Sequence, residues 1–159
     1  MIEIDFQDFH DQNYEETGYE LYVMKNGLED VLYVGISKWS IWERWFGWSG
    51  HIAWLDDRIT GSTSVGQKIV GHLPDSLKWK IQLWTLEDCV NLCKEEFHIP
   101  PSPDISLIEP IMINKLSPIL NVVCNTRPGK DTTPRSKKEI EREKLLDEAY
   151  RKIFEKHEK

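Results

Sequence analysis

The chain has 159 residues, of which 40% are hydrophobic and 30% charged, and its formal net charge is −7. This length and composition are typical of one globular domain, and no apolar run approaches the roughly 20 residues of a membrane-spanning helix. The acidic N-terminus is unlike a secretory signal peptide, and three cysteines without a CxxC motif argue against a disulfide framework. We therefore expect a cytoplasmic protein with no membrane partner.

The charge is distributed unevenly along the chain. Residues 1–21 hold seven acidic residues and no lysine or arginine, whereas residues 127–159 hold eleven basic residues against eight acidic ones. An acidic excess argues against a nucleic-acid partner, because phosphate binding usually needs a basic surface, but the uneven distribution weakens that argument. The composition predicts four regions: an acidic N-terminal arm (1–18), a main domain (19–124), a basic linker (125–135) and a terminal amphipathic helix (136–158).

A β-hairpin is predicted over residues 19–36, where two alternating stretches flank the strong turn signal Asn26-Gly27. Ser40 and Glu43 have the spacing of a capping box, which predicts a short helix that ends at one of the next glycines. This helix carries Arg44, which lies among several tryptophans.

Further elements are predicted downstream of this helix. Residues 61–76 have the composition of a loop with a single helical turn, and the alternation over residues 77–84 predicts a third, half-buried strand. One helix is expected over residues 85–99, where two prolines stop it, and another over residues 104–118. Pro110 lies inside the second helix, so we expect a kink or a break there.

The terminal region is predicted to form a helix of about 20 residues. It begins with a second capping box, Ser136 to Glu139, and carries one apolar stripe, made of Leu146, Ala149, Tyr150, Ile153 and Phe154. The stripe could pack on the domain, form a homodimer or lie along DNA. Together these elements predict an α+β fold with a small three-stranded sheet, antiparallel or mixed, flanked by helices and followed by an extra C-terminal helix.

Several residues with chemical potential fall at the ends of these elements. Tyr22 and Tyr33 lie on the two hairpin strands, Gly35 follows the second tyrosine, and Arg44 lies on the next helix. Glu109 is the one carboxylate in the otherwise apolar run from Ile105 to Ile113. Taken singly, each has an ordinary explanation as a packing tyrosine, a surface arginine or a solvated glutamate.

Taken together, these residues resemble the signature of the GIY-YIG nucleases over about residues 19–123. Glu20-Leu21-Tyr22 stands at the first triplet and Tyr33-Val34-Gly35 at the second, with ten residues between the two tyrosines. Glu109 lies twelve residues before Asn121, which ends a Pro-x-x-Asn motif, as in the nuclease domain of the bacterial excision-repair enzyme.

The surrounding positions follow the family pattern in part. Ser37 stands where the family often has serine or threonine, and Arg44 stands where its helix arginine is expected. Glu20 replaces a glycine of the first triplet. Trp48 occupies the place where many members carry a histidine, and the nearest histidine, His51, is displaced.

The resemblance implies an endonuclease that hydrolyses phosphodiester bonds in DNA with one divalent cation, Mg²⁺ or Mn²⁺. Glu109 would bind the metal, and Arg44 would bind the scissile phosphate. Tyr22 would act as general base or proton relay for the attacking water, with Tyr33 orienting the water or the phosphate. Because the ordinary pKa of tyrosine is about 10, we expect Arg44 or the metal to lower the pKa of Tyr22.

The resemblance also implies substrate contacts around these groups, by Gly35, Ser37, Lys38, Trp48, His51 and Asn121. For Asn121 we favour a structural role, in which its amide fixes the glutamate helix to the sheet. Of the tryptophans, Trp39 and Trp48 are the best candidates for contacting nucleic acid, because they flank the arginine helix.

A second function class competes with the enzyme. The chain could be a nucleic-acid-binding or protein-binding module that keeps the fold with weak catalysis or none, which Glu20 and the acidic arm would suit. The sequence leaves the biological role open between restriction, repair and a phage-associated function.

Overall fold

A four-stranded antiparallel sheet lies at the centre of the computed structural model, which describes residues 1–12, 14, 18–55, 58–122, 125, 128–129 and 137–157. Its strands are, in spatial order, β1 (Ile2–Asp5), β6 (Lys80–Trp84), β2 (Leu21–Lys25) and β3 (Val31–Ile36), and a separate antiparallel pair consists of β4 (Ile52–Leu55) and β5 (Arg58–Gly61). The helices are α1 (Phe6–Asp11), α2 (Ile41–Phe46), α3 (Ser64–Gly71), α4 (Leu86–Cys93), α5 (Ile105–Leu116) and α6 (Lys137–His157). The predicted α+β class is confirmed.

The predicted hairpin is confirmed as β2 and β3. The Asn26 side chain closes the turn, because its oxygen accepts hydrogen bonds from the backbone N–H groups of Leu28 and Asp30, both at 2.9 Å. The register pairs Tyr22 with Gly35, and a bulge follows Met24. These two strands therefore present both signature tyrosines in a fixed relation.

The sheet has four strands where the sequence predicted three. The additional strand is β1, which lies in the acidic arm and pairs with β6. Its isoleucines alternate with two acids, and both acids pair with lysines of the sheet: Asp5 with Lys80 on the neighbouring strand β6, and Glu3 with Lys25 on β2, one strand further, at 3.5 Å. A four-residue alternation inside a strongly acidic segment is too short a signal to stand out from its surroundings.

Helices cover both faces of the sheet. Tyr22 and Met24 face a core shared with α1, α2 and α3, whereas Leu21 and Val23 face a core shared with α4 and α5. The helical members of the first core are Phe6, Phe9, Ile41, Trp45, Val65 and Ile69. Those of the second are Cys89, Cys93, Ile105, Ile108, Met112 and Ile113.

Two predicted segments have different boundaries in the structure. The stretch 61–76 contains the eight-residue helix α3, which forms because Thr63 caps it by accepting from the Gly66 N–H at 3.2 Å and because Val65 and Ile69 are buried. The third predicted strand begins at Lys80, since a 3₁₀ turn occupies Asp75–Lys78.

The two helices before and after the double proline also differ from expectation. α4 begins at a capping box on Thr85, as predicted, but ends at Cys93 rather than near residue 99. α5 continues through Pro110 without a break, although that residue cannot donate to the carbonyl one turn earlier. Burial of Ile108 and Met112 on either side of the proline holds the helix on the sheet.

The segment after α5 lies along the outer edge of β3. The backbone N–H groups of Ile119 and Leu120 donate to the carbonyls of Val31 and Leu32 at 3.0 and 2.8 Å. The Asn121 amide then pairs with Val34, accepting from its N–H and donating to its carbonyl, each at 2.9 Å. The structural role expected for Asn121 is thus confirmed, and α5 is fixed against the edge of the sheet.

The terminal helix α6 leaves its apolar stripe open to solvent. Leu146, Tyr150 and Ile153 are exposed, and Arg142 donates a hydrogen bond to the Gln67 side chain on α3 at 2.8 Å. The cap residue Ser136 and most of the predicted linker lie outside the described residues. Within the described ranges, no helix combines the length and the apolar character needed to cross a membrane.

Asn121→Ala is expected to destabilise the protein by about 1–3 kcal/mol, because it leaves a buried backbone N–H and carbonyl of Val34 without partners. Urea denaturation measures the change. The matched control is Asn91→Ala, an exposed position on α4, which should change the free energy of unfolding by less than about 0.5 kcal/mol. Equal losses in the two variants would contradict the role of Asn121.

Candidate active site

Four residues from four elements converge near the edge of β3. The rings of Tyr22 on β2 and Tyr33 on β3 are stacked with their centroids 6.1 Å apart. Arg44 on α2 opposes the rise in the pKa of both tyrosines, and Glu109 on α5 reinforces it. Both charged groups therefore lie within electrostatic reach of both rings.

Gly35 is required by the way the Tyr22 ring packs. The two residues are cross-strand partners, and a Cβ atom at Gly35 would lie very close to the Tyr22 hydroxyl oxygen. Only a residue without a side chain leaves room for the ring there. The close approach that the sequence predicted at this glycine is made by Tyr22 itself, which is 1% exposed.

His51 is the candidate site residue whose position the sequence indicated least well. It is fully buried, and its Nε2 lies 2.5 Å from the Tyr22 hydroxyl oxygen. The His51 backbone N–H donates to the Arg44 carbonyl at 3.1 Å, so residues 47–50 loop out and return the chain to the end of α2. The displaced histidine thus lies against the signature tyrosine, while Trp48 is completely exposed.

Thr63 completes a buried chain of polar groups. Its hydroxyl oxygen lies 2.7 Å from His51 Nδ1 and also accepts the N–H of Gly66 as the cap of α3. With Nδ1–H donating to Thr63, Nε2 is free to accept the Tyr22 hydroxyl proton. No signal in the sequence indicated Thr63, because its contact depends on the fold of the loop before α3.

The pKa of Tyr22 moves opposite to expectation. Burial is the largest effect and raises this pKa, while Arg44 lowers it by a smaller amount. Arg44 thus acts in the expected direction, but its effect on the pKa of Tyr22 is smaller than that of burial. Tyr22 remains protonated at neutral pH, and the group able to accept its proton is His51.

Within the described part of the chain, neither Arg44 nor Glu109 has an ion-pair partner. Among the described residues Arg44 forms no ion pair, and its guanidinium donates to the Ser49 carbonyl at 3.5 Å. Glu109 is half-buried, burial raises its pKa, and no hydrogen bond or ion pair to the described part of the chain engages its carboxylate. An arginine without a carboxylate partner is suited to bind phosphate.

The Glu109 carboxylate lines a cleft of about 350 Å³, together with Tyr33, Ile113, Leu120 and Asn121. Over the described ranges, no group of three His, Cys, Asp or Glu side chains could enclose a metal. One carboxylate at an open cleft fits Mg²⁺ or Mn²⁺ held mainly by water and substrate phosphate, rather than a cation enclosed by protein ligands.

The remaining predicted substrate contacts divide into two groups. Ser37 has a structural contact, since its hydroxyl donates to the Ser40 carbonyl at 3.2 Å and its oxygen accepts from the Trp39 N–H at 3.4 Å. Lys38 and Trp48 face solvent beside α2. They are therefore not part of the buried cluster around Tyr22.

The stability of the protein is expected to depend on pH through His51. Burial, and secondarily Arg44, lowers the pKa of His51 to about 3 in the folded state, below the unfolded value of about 6.5. Between these values only the unfolded chain binds the proton, so the free energy of unfolding falls with decreasing pH by up to about 1.4 kcal/mol per pH unit.

Urea denaturation of wild type and His51→Gln from about pH 7 to about pH 4.5 checks this dependence. The variant is less stable at neutral pH but should lose less stability on acidification, because it has no histidine to protonate. Identical slopes for the two proteins would contradict a neutral buried His51.

A scan against protein-family models, a search of the curated proteins and a search of the solved structures find no match to this chain. The function has to be inferred from the site itself. Its basis is the convergence of Tyr22, Tyr33, Arg44 and Glu109, with His51 behind them.

Proposed function

We propose that the chain is a divalent-metal-dependent DNA endonuclease of the GIY-YIG type. The observation that carries the proposal is that Arg44 and Glu109 both lie near the stacked rings of Tyr22 and Tyr33. Among the described residues, neither of these charged groups forms an ion pair. A purely structural site would neutralise these charges against each other or against neighbours. Keeping them separate is useful when an anionic substrate and a cation bind between them.

Arg44 and Tyr33 are suited to hold the scissile phosphate. The guanidinium stays charged at any physiological pH and matches the geometry of phosphate oxygens. The Tyr33 ring lines the cleft beside Glu109, and burial raises the pKa of its hydroxyl, so it remains a hydrogen-bond donor at neutral pH. These two groups would orient the phosphate and stabilise the charge that grows on it during attack.

Glu109 is the group that would bind the divalent cation. A bound cation supplies positive charge to the phosphate and assists departure of the 3′ oxygen. The raised pKa of Glu109 comes from burial in the absence of an opposite charge. A cation in the cleft would oppose this effect of burial and favour the ionised form of the carboxylate.

Tyr22, His51 and Thr63 would act together as a proton relay. The attacking water gives a proton to the Tyr22 oxygen as the Tyr22 proton passes to His51 Nε2 across 2.5 Å. The water oxygen bonds to phosphorus, and the bond to the 3′ oxygen breaks. The anionic phosphate at Arg44 offsets the positive charge that His51 acquires, and no free tyrosinate is needed.

Plasmid cleavage with Mg²⁺ or Mn²⁺ tests the proposal. Glu109→Gln and Arg44→Gln should each lower the rate at least about 100-fold, because each removes charge that stabilises the transition state. The matched controls are Glu95→Gln and Arg142→Gln, exposed positions of the same residue types, which should keep wild-type rates.

Equal nicking by all five proteins would show that a contaminant is responsible and would contradict the proposal. Wild-type protein that binds DNA but never cleaves it would instead support the non-catalytic binding module.

Thr63→Val is expected to lower cleavage about tenfold, because His51 Nδ1–H loses its acceptor and the tautomer that accepts the Tyr22 proton is no longer favoured. Thr63→Ser keeps the hydroxyl and should retain most of the activity. Nitrogen NMR of His51 measures the cause directly, as a single Nδ1–H tautomer in wild type and Thr63→Ser and a mixture in Thr63→Val. An unchanged tautomer in Thr63→Val would contradict this role of Thr63.

A further inference from the structure

Two tryptophans are almost completely exposed, one just before α2 in the chain and one just after it. Trp39 is 90% exposed and Trp48 is 100% exposed. Other tryptophans whose side chains the structure describes are buried or half-buried, namely Trp42, Trp45, Trp79 and Trp84. Tryptophan is seldom this open to solvent in a folded protein, since it carries the largest apolar surface of any side chain.

Both exposed rings stand on ordered turns. The Trp39 backbone N–H donates to the Ser37 hydroxyl, which is itself bonded to the start of α2. The turn carrying Trp48 is closed by Gly47 N–H on the Glu43 carbonyl at 2.7 Å and Gly50 N–H on the Gly47 carbonyl at 2.9 Å. The backbone therefore holds the two rings out, and they are not the ends of frayed segments.

The two rings flank Arg44. α2 has six residues and is about 9 Å long, so a strand crossing its exposed side would pass both tryptophans within a few nucleotides. Arg44 donates to the carbonyl of Ser49 in the same turn as Trp48, which couples the position of that turn to the guanidinium. Lys38, next to Trp39 in the chain, is also exposed and supplies a positive charge shortly before the start of α2.

We propose that Trp39 and Trp48 stack on unpaired bases on either side of the phosphate held by Arg44, so that the substrate is DNA with an unpaired strand. This inference rests on the proposed function, since Arg44 is the phosphate-binding group of that site. Inside a duplex both faces of each base are covered by its neighbours. An indole on the protein surface gains a stacking partner only at a single strand, a flap or a similar opening.

The charge of the chain favours the same substrate. With a net charge of −7 the protein has a weak general attraction for phosphate, and phosphate attraction supplies most of the sequence-independent affinity for an intact duplex. Stacking depends less on charge, and every base has a face that an indole can cover. Stacking on Trp39 and Trp48 beside Arg44 would therefore provide affinity for DNA that the negative net charge does not provide.

Fluorescence anisotropy titrations of the full chain in EDTA test the inference without cleavage. The probes are labelled DNA of one sequence as a single strand, a flapped duplex and a blunt duplex. Wild type should bind the single strand and the flap at least about tenfold more tightly than the blunt duplex. Trp39→Ala and Trp48→Ala should each weaken single-strand binding about tenfold, whereas the corresponding phenylalanine variants should keep most of it.

The matched control is Leu28→Ala, an exposed apolar residue in the turn between β2 and β3, which should bind every probe as wild type does. Equal affinity for the three probes, or full single-strand binding by both alanine variants, would overturn the inference. A change in sedimentation mass on Trp→Ala without a change in DNA binding would identify a second protein chain as the partner and would also overturn it.

The titrations and the plasmid assay separate this inference from the proposed function. If the protein binds single strands selectively through both tryptophans but never cleaves DNA, the result supports the inference and contradicts the proposed nuclease activity. Cleavage of duplex DNA that depends on Glu109 but is unchanged in the tryptophan variants would support the proposed nuclease and contradict the inference about Trp39 and Trp48.

Discussion

The buried hydrogen bond between Tyr22 and His51 is the interaction on which the candidate site depends. Both groups are polar and withdrawn from water, so each needs the other as a partner. The bond requires that position 35 on β3 be a glycine, which leaves room for the Tyr22 ring. It also requires that the loop after α2 return to the Arg44 carbonyl and that the Thr63 hydroxyl lie against Nδ1 of His51. One contact therefore links two sheet strands, α2 and the N-terminus of α3.

Local patterns in the sequence were sufficient for several elements. The hairpin follows from Asn26-Gly27 and its flanking alternation, and the helix starts at Ser40 and Thr85 follow from caps that the structure contains. The role favoured for the Asn121 amide, fixing the glutamate helix to the sheet, agrees with its two hydrogen bonds to Val34. For the hairpin and the two caps the signal lies within a few residues of the structure it predicts.

The features that the sequence could not provide depend on contacts between distant segments. β1 is a strand because β6 is available to pair with it, and its four residues alone do not show this. His51 contacts Tyr22 because the loop at residues 47–50 folds outward and returns the chain to the end of α2. The spacing of residues along the sequence does not reveal this loop. The direction of the pKa change of Tyr22 follows from burial, whereas its charged neighbour alone suggested the opposite.

The loop at residues 47–50 has two constrained ends, Gly47 and Gly50, and an exposed tip that carries Trp48. Its two glycine ends are constrained, because a Cβ at Gly47 or Gly50 would meet the backbone at 2.6 Å. The tip that carries Trp48 faces solvent and has no part in the Tyr22–His51 bond. Exchange of the Trp48 side chain would therefore alter the surface that the loop presents to solvent, while Tyr22 and His51 beneath it keep their hydrogen bond.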